Sequence, residues 1–172
     1  MKHERFYCGD KDKLSERPYH YKECGLDNIY LMNGYDIEEV DGEQFVRVHN
    51  VDKLWKAIGL NLITQKKILS PKEIRFLRGQ MDLTQAEVAA LLRVEDQTVA
   101  RWEKGRIPLS GTADIAFRGM FLASPVAQPQ GAKILAKWME IVSKLVERDA
   151  PVSDNVVFER HNHAWEMRRY VA

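Results

Sequence analysis

A chain of 172 residues with 45% hydrophobic content has room for one ordinary domain or two small ones and can bury a core. Its net charge of +1 lacks the basic excess that by itself announces nucleic acid, so any such partner must be argued from where the charge sits. No basic-then-apolar leader and no apolar run of about 18 residues is present, which excludes a signal peptide or membrane span and makes the cytoplasm the expected compartment, while two cysteines, Cys8 and Cys24, are too few for a secreted disulfide framework.

The charge is uneven. Residues 64–106 carry nine Lys/Arg against six Asp/Glu, whereas Asp36, Glu38, Glu39, Asp41 and Glu43 form an acidic run with no base. In chain order, Tyr19, Tyr21, Ile29, Tyr30 and Leu31 are β-prone and are interrupted by the turn-like segments Cys24-Gly25-Leu26-Asp27-Asn28 and Asn33-Gly34. Tyr35 to Val40 and Glu43 to Val48 flank Asp41-Gly42, a strong hairpin signal. These segments predict a small antiparallel sheet over residues 18–49. From Asn50 the period changes: Val51, Leu54, Trp55, Ile58 and Leu62 predict a helix over about 51–65.

Ser70-Pro71-Lys72-Glu73 reads as a helix start, with serine as cap, proline where a missing amide hydrogen does no harm, and glutamate three residues on. Ile74, Leu77 and Met81 supply the buried stripe. Thr84 and Glu87 repeat the start signal ahead of Val88, Leu91 and Leu92. A third helix begins near Asp96, read as its cap, buries Val99 and Trp102, and stops at Gly105. A fourth helix covers about 112–122. Ser124 to Gly131, with Pro125 and Pro129, reads as a linker. Ile134, Leu135, Trp138, Met139, Val142, Leu145 and Val146 then predict one amphipathic helix over 131–148, and Val156 to Glu159 with Ala164 to Tyr170 predict a closing hairpin around His161-Asn162-His163.

Three short helices at Pro71 to Gln80, Gln85 to Leu92 and Gln97 to Lys104 suit a DNA reader, because the third can enter a major groove while the first two brace it. The pattern Leu83-Thr84-Gln85-Ala86-Glu87-Val88-Ala89 followed by Thr98-Val99-Ala100-Arg101-Trp102-Glu103-Lys104-Gly105 closely resembles the Cro/repressor (Xre) family of helix-turn-helix proteins. That resemblance implies a role for each matching residue. Gln85 would sit against the DNA backbone. Gln97 and Arg101, one turn apart, would face base edges, where arginine suits guanine and glutamine suits adenine. Thr98 would add a phosphate or thymine-methyl contact, and Lys104 and Arg106 would neutralise backbone charge. Arg78 and Glu103 would form an internal ion pair tying the first helix to the third, and Glu95 would discriminate against wrong sequences by repulsion. The N-terminal phrase Glu23-Cys24-Gly25-Leu26-Asp27-Asn28-Ile29-Tyr30-Leu31, joined to a C-terminal module of this kind, resembles the MqsA (YgiT-type) antitoxin and regulator family. Members with the zinc-binding fold carry two CxxC pairs, whereas here Cys8 and Cys24 stand alone, with His3, His20 and His49 as further ligand candidates. A degenerate, metal-free version is expected, with no cofactor.

The fold class expected is therefore α+β: a β-rich domain with its connecting helix over 1–65, a lambda-repressor-like helix-turn-helix domain over 66–123, and a helix plus hairpin over 131–172 serving dimerisation. The function expected is a sequence-specific transcriptional regulator, a repressor binding operator DNA as a homodimer. The alternative is an antitoxin whose N-terminal domain holds a toxin. Other features read as structure. Trp55, Trp102 and Trp138 lie on apolar stripes, His161, His163, Glu159 and Glu166 sit in a polar turn, and the acidic run is a solvated hairpin that could face a basic partner. No phosphate loop, nucleophile triad or paired-carboxylate arrangement supports an enzyme.

Overall fold

The computed structural model describes residues 4–7, 17–147 and 155–168. It divides into two compact units, one from residues 1–57 and 153–172 and the other from residues 58–152. The boundary falls inside one helix. The expected mixed α+β class is observed.

The first unit holds two sheets. Strands β1 (Glu4–Tyr7), β4 (Tyr35–Val40) and β5 (Glu43–Val48) form an antiparallel sheet in the order β1-β4-β5. Asp41 and Gly42, at φ of 54° and 83°, make the β4–β5 turn that the Asp-Gly pair predicts. Strands β2 (Tyr19–His20) and β3 (Ile29–Leu31) belong to a separate sheet, so the single sheet expected over 18–49 is corrected to two. In that second sheet β3 pairs in parallel with β6 (Val156–His161), and β6 pairs antiparallel with β7 (Ala164–Arg168). The closing hairpin is thus completed by an N-terminal strand rather than by the helix before it; Tyr170, expected in it, lies outside the described residues. The core comprises Tyr21, Leu26, Ile29, Leu31, Tyr35, Leu54, Val157, Phe158 and Trp165. Gly34, at φ 74°, lets the turn between β3 and β4 lie against Trp165, since a Cβ there would stand 2.7 Å from its ring.

Helix α1 (Val51–Gln65) starts behind Asn50, whose carbonyl accepts the amides of Lys53 and Leu54. From Ile58 it belongs to the second unit, with Ile58, Leu62 and Ile63 buried. There follow α2 (Pro71–Gln80), α3 (Gln85–Leu92), α4 (Asp96–Glu103) and α5 (Gly111–Ala123). Arg118 of α5, 1% exposed, donates through Nη1 to the carbonyls of Leu62 and Ile63, through Nη2 to that of Lys67 and through Nε to Asp114. A buried guanidinium thereby adds a donor to the Ile63 carbonyl near the end of α1, a second to the Leu62 carbonyl that the Lys66 amide also reaches, and one to the Lys67 carbonyl just past the helix.

Two expectations fail in the following stretch. Ser124 to Gly131 is no linker: Pro125–Ala127 is a 3-10 turn with Ala127 fully buried, Gln128 donates its side-chain amide to the Leu122 carbonyl at 2.9 Å, and Gly131 packs on that same carbonyl where a Cβ would collide. The amphipathic stretch is also two helices, α6 (Gln130–Leu135) and α7 (Trp138–Glu147), with a break at Ala136 and Lys137. Leu145 faces the core, while Met139 and Val146 are 77% and 67% exposed. Of the tryptophans, Trp102 and Trp165 are buried and Trp55 and Trp138 half-buried. The indole N–H of Trp55 donates to the Tyr21 hydroxyl and that of Trp165 to the His49 carbonyl.

Candidate nucleic-acid interface

The helix-turn-helix geometry comes from how α2, α3 and α4 begin and end. Ser70 and Thr84 both form full capping boxes: each hydroxyl accepts the amide of a glutamate three residues on, and that glutamate accepts the cap amide. All three helices then stop the same way. The amides of Asp82 and Leu83 donate to the carbonyls of Gly79 and Arg78, those of Arg93 and Val94 to Ala90 and Ala89, and those of Gly105 and Arg106 to Trp102 and Arg101. Each is a Schellman closure with one left-handed residue: Asp82 at 55°, Arg93 at 55° and Gly105 at 67°. Only Gly105 adopts that conformation without a Cβ penalty. The result is a fixed chain reversal after each short helix.

Val99 and Trp102 anchor α4 in the core, which leaves Gln97, Arg101 and Lys104, at i, i+4 and i+7, exposed on one face. Arg101 Nη2 donates to Gln97 Oε1 at 3.3 Å, so the two expected base-reading side chains already touch. Arg106 is exposed just past Gly105, and Thr98 is half-buried at the start of α4. Asp96 is not the cap. The cap position belongs to Glu95, which makes no side-chain capping bond, and Asp96 is the first helical residue, where its charge suits the positive end of the helix.

Gln85 opens α3, and its amide is already engaged, donating to Glu103 Oε2 at 2.7 Å. Glu103 is the hub of the module. Its Oε1 receives Arg78 Nε at 2.5 Å and its Oε2 receives Arg78 Nη2 at 3.1 Å, a two-pronged pair linking α2 to α4 as expected. Arg78 Nη1 also holds the Leu83 carbonyl, ahead of α3. Burial pushes the Glu103 carboxyl up, but the hydrogen bonds from Arg78 and Gln85, with the charges of Arg78 and Arg75, outweigh it and hold its pKa below the ordinary value. Sequence reasoning identified the ion pair and missed its bond to Gln85, for which no local signal exists.

Of the candidate zinc ligands, the three within the described residues each have a different neighbour. Cys8 and His3 lie outside the described residues. Cys24 is a half-buried free thiol beside the Tyr21 carbonyl, His20 faces the Asp27 carbonyl, and His49 lies 3.1 Å from Asp36. Among the described residues no group of three or more His, Cys, Asp and Glu side chains is placed to hold a metal ion, and no helix is long and apolar enough to cross a membrane.

Residues 74–113 match the family described as Helix-turn-helix, which spans α2 to the start of α5 and contains Gln85, Gln97, Thr98, Arg101, Lys104 and Arg106. No curated protein and no solved structure matches the chain. The matched segment is an Xre-family helix-turn-helix domain, and it supports a DNA-binding transcriptional regulator with double-stranded DNA as its ligand.

Proposed function

We propose that the protein is a sequence-specific repressor that binds operator DNA in the cytoplasm as a symmetric homodimer and acts by occupancy rather than catalysis. The observation that carries this reading is the exposed face of α4, where Gln97 and Arg101 are presented together and Lys104 and Arg106 follow at the helix end. In this arrangement Gln97 and Arg101 read base edges, Thr98 contacts a phosphate or thymine methyl, and Lys104 and Arg106 neutralise phosphates. Gln85 keeps a second amide hydrogen for the backbone phosphate while Glu103 holds the first. The dimer follows from economy of interface. One module contacts too few base pairs for operator affinity, and two modules related by a two-fold axis read two half-sites.

A second reading follows from the face that β4 and β5 share in the first sheet. Asp36, Glu38 and Val40 alternate on one face of β4 opposite Arg47, Phe45 and Glu43 of β5, and Phe45 is 52% exposed amid those carboxylates. Such a face suits a basic protein partner, as an MqsA-like antitoxin would need for its toxin. Genomic fragments enriched on the purified protein and then footprinted test the first reading, with Gln97→Ala/Arg101→Ala as control. A two-fold symmetric footprint absent from the variant supports the repressor, and equal enrichment by both proteins refutes base readout. A footprint over the protein's own promoter beside a small basic reading frame selects the antitoxin.

A further inference from the structure

Among the described residues two arginines are buried, Arg118 and Arg160, and their surroundings differ. Arg118 has a carboxylate and three carbonyls. Arg160, on β6 of the β-rich unit, is 2% exposed, yet its Nε and Nη1 have no hydrogen-bond partner, and no carboxylate among the described residues pairs with it. The neighbouring Glu159 is engaged by Arg168 and His161, and Asp36 by His49. A guanidinium cannot shed its proton, so a buried one with free N–H groups calls for an acceptor.

The surroundings fix its position. Asn33 clamps the Arg160 backbone through both ends of its amide, and the arginine stem lies along Gly34, where a Cβ would come within 3.0 Å of Cδ. The third guanidinium nitrogen, Nη2, lies 2.7 Å from Nδ1 of His163. Arginine can only donate, so Nδ1 accepts. His163 is exposed on the two-residue β6–β7 turn, which places the guanidinium one hydrogen bond beneath the surface. Lys53, also exposed, donates to the His163 carbonyl at 3.4 Å and adds positive charge at the same point.

We propose that Arg160 anchors an oxyanion-binding site in the β-rich unit, taking the carboxylate or phosphate group of a small ligand after the imidazole of His163 swings aside, with Lys53 at the entrance. The site is separate from the DNA-reading face and does not depend on that reading.

The test uses the full-length chain carrying Arg101→Ala/Lys104→Ala, so that phosphate binding at the DNA face does not contribute. Thermal unfolding is followed against inorganic phosphate and, separately, against acetate, at ionic strength held constant with chloride. The expected result is a rise in the midpoint that grows with the logarithm of anion concentration above the dissociation constant and reaches about 3–5 °C at ten times that constant for at least one anion. A response to phosphate alone assigns a phosphoryl ligand, and a response to acetate assigns a carboxylate. Arg160→Met abolishes the rise, and His163→Ala lowers the dissociation constant several-fold by removing the competing acceptor. If Arg160→Met does not fold, His163→Ala decides. The proposal is overturned by the absence of a rise that follows this logarithmic dependence, by a rise that survives Arg160→Met, or by an unchanged dissociation constant in His163→Ala.

Discussion

The side-chain amide of Gln85 donates to Oε2 of Glu103 at 2.7 Å, on the carboxylate that also holds Arg78. One acidic side chain therefore ties α2 to α4 and aims the residue that opens α3. The two roles separate by mutation. Gln85→Ala removes the amide proposed to face a phosphate without stranding the Arg78 pair, so it should weaken binding to all DNA sequences alike while shifting the urea midpoint little. Glu103→Gln leaves the Arg78 guanidinium, whose side chain is 18% exposed, without its counter-charge and should cost about 3 kcal/mol of stability. Equal stability loss in both variants would falsify the division.

The same carboxylate gives the fold an acid limit. The pKa of Glu103 is held below its ordinary value of 4.5, so the folded state binds its proton less readily than the unfolded chain. Its contribution is complete above about pH 4.5 and is lost as the pH falls through the depressed folded value. Denaturation curves between pH 6 and roughly pH 3 should show stability falling in the acid limb, less steeply in Glu103→Gln. An identical acid slope in the two proteins would place the pH dependence elsewhere.

What could be read from the sequence was what short segments decide for themselves. Ser70, Thr84 and Gly105 mark helix ends by side-chain chemistry alone, and Asp41-Gly42 marks its turn; the structure has all four in those roles. Asp82 and Arg93 end helices in the same left-handed conformation, but only aspartate has any local preference for it, and arginine has none. The parallel pairing of β3 with β6 joins segments more than a hundred residues apart and leaves no local mark. The prolines at 125 and 129 read as a linker because proline breaks helices, although what matters there is the packing of Ala127 and Gly131. The break at Ala136 and Lys137 falls on two good helix formers, so periodicity ran straight across it. At the site, residue types and spacing identified the exposed face of α4, whereas the bond from Gln85 to Glu103 depends on tertiary placement.

Arg101 and Lys104 share a face of α4, and the proposed DNA complex gives them different tasks. Arg101→Ala should cost about 1–3 kcal/mol on the preferred site and relax selectivity at one base pair, whereas Lys104→Ala should weaken every sequence and lower the salt slope by about one. Because Arg101 rests on Gln97, Gln97→Ala should also loosen selection at the base pair read by Arg101. Fluorescence anisotropy on a set of single-base operator variants at several salt concentrations checks all three. Uniform losses from Arg101→Ala across that set would remove it from base readout.

Arg118 is inconspicuous in the sequence, one of two charges, with Asp114, on a largely apolar helix, yet it is 1% exposed and donates to three carbonyls. Arg118→Met keeps the volume but removes the side-chain donor of the Ile63 and Lys67 carbonyls and the counter-charge of Asp114, and should lower stability by about 3–5 kcal/mol. Adding Asp114→Leu removes the orphaned charge and should recover part of the loss. Urea midpoints read both steps, and a double variant no more stable than the single one would locate the whole effect in the carbonyls.

The proposed dimer requires a surface, and α7 offers Met139 and Val146, seven residues apart and both well exposed. Deleting everything after Ser124 does not test it cleanly, because Ala127, Gly131 and Leu145 are part of the core of the second unit and their loss should unfold it. Met139→Glu/Val146→Glu is the better probe, since both side chains project from the fold and each substitution should change monomer stability by less than about 0.5 kcal/mol. If α7 is the seam, the double variant should sediment as a monomer with an unchanged thermal midpoint at low concentration, and its binding to a two-half-site operator should fall to that of a single half-site. A variant that still sediments as a dimer assigns the two-fold contact to another surface, and a wild-type chain that sediments as a monomer at operator-saturating concentration shows that pairing occurs only on DNA.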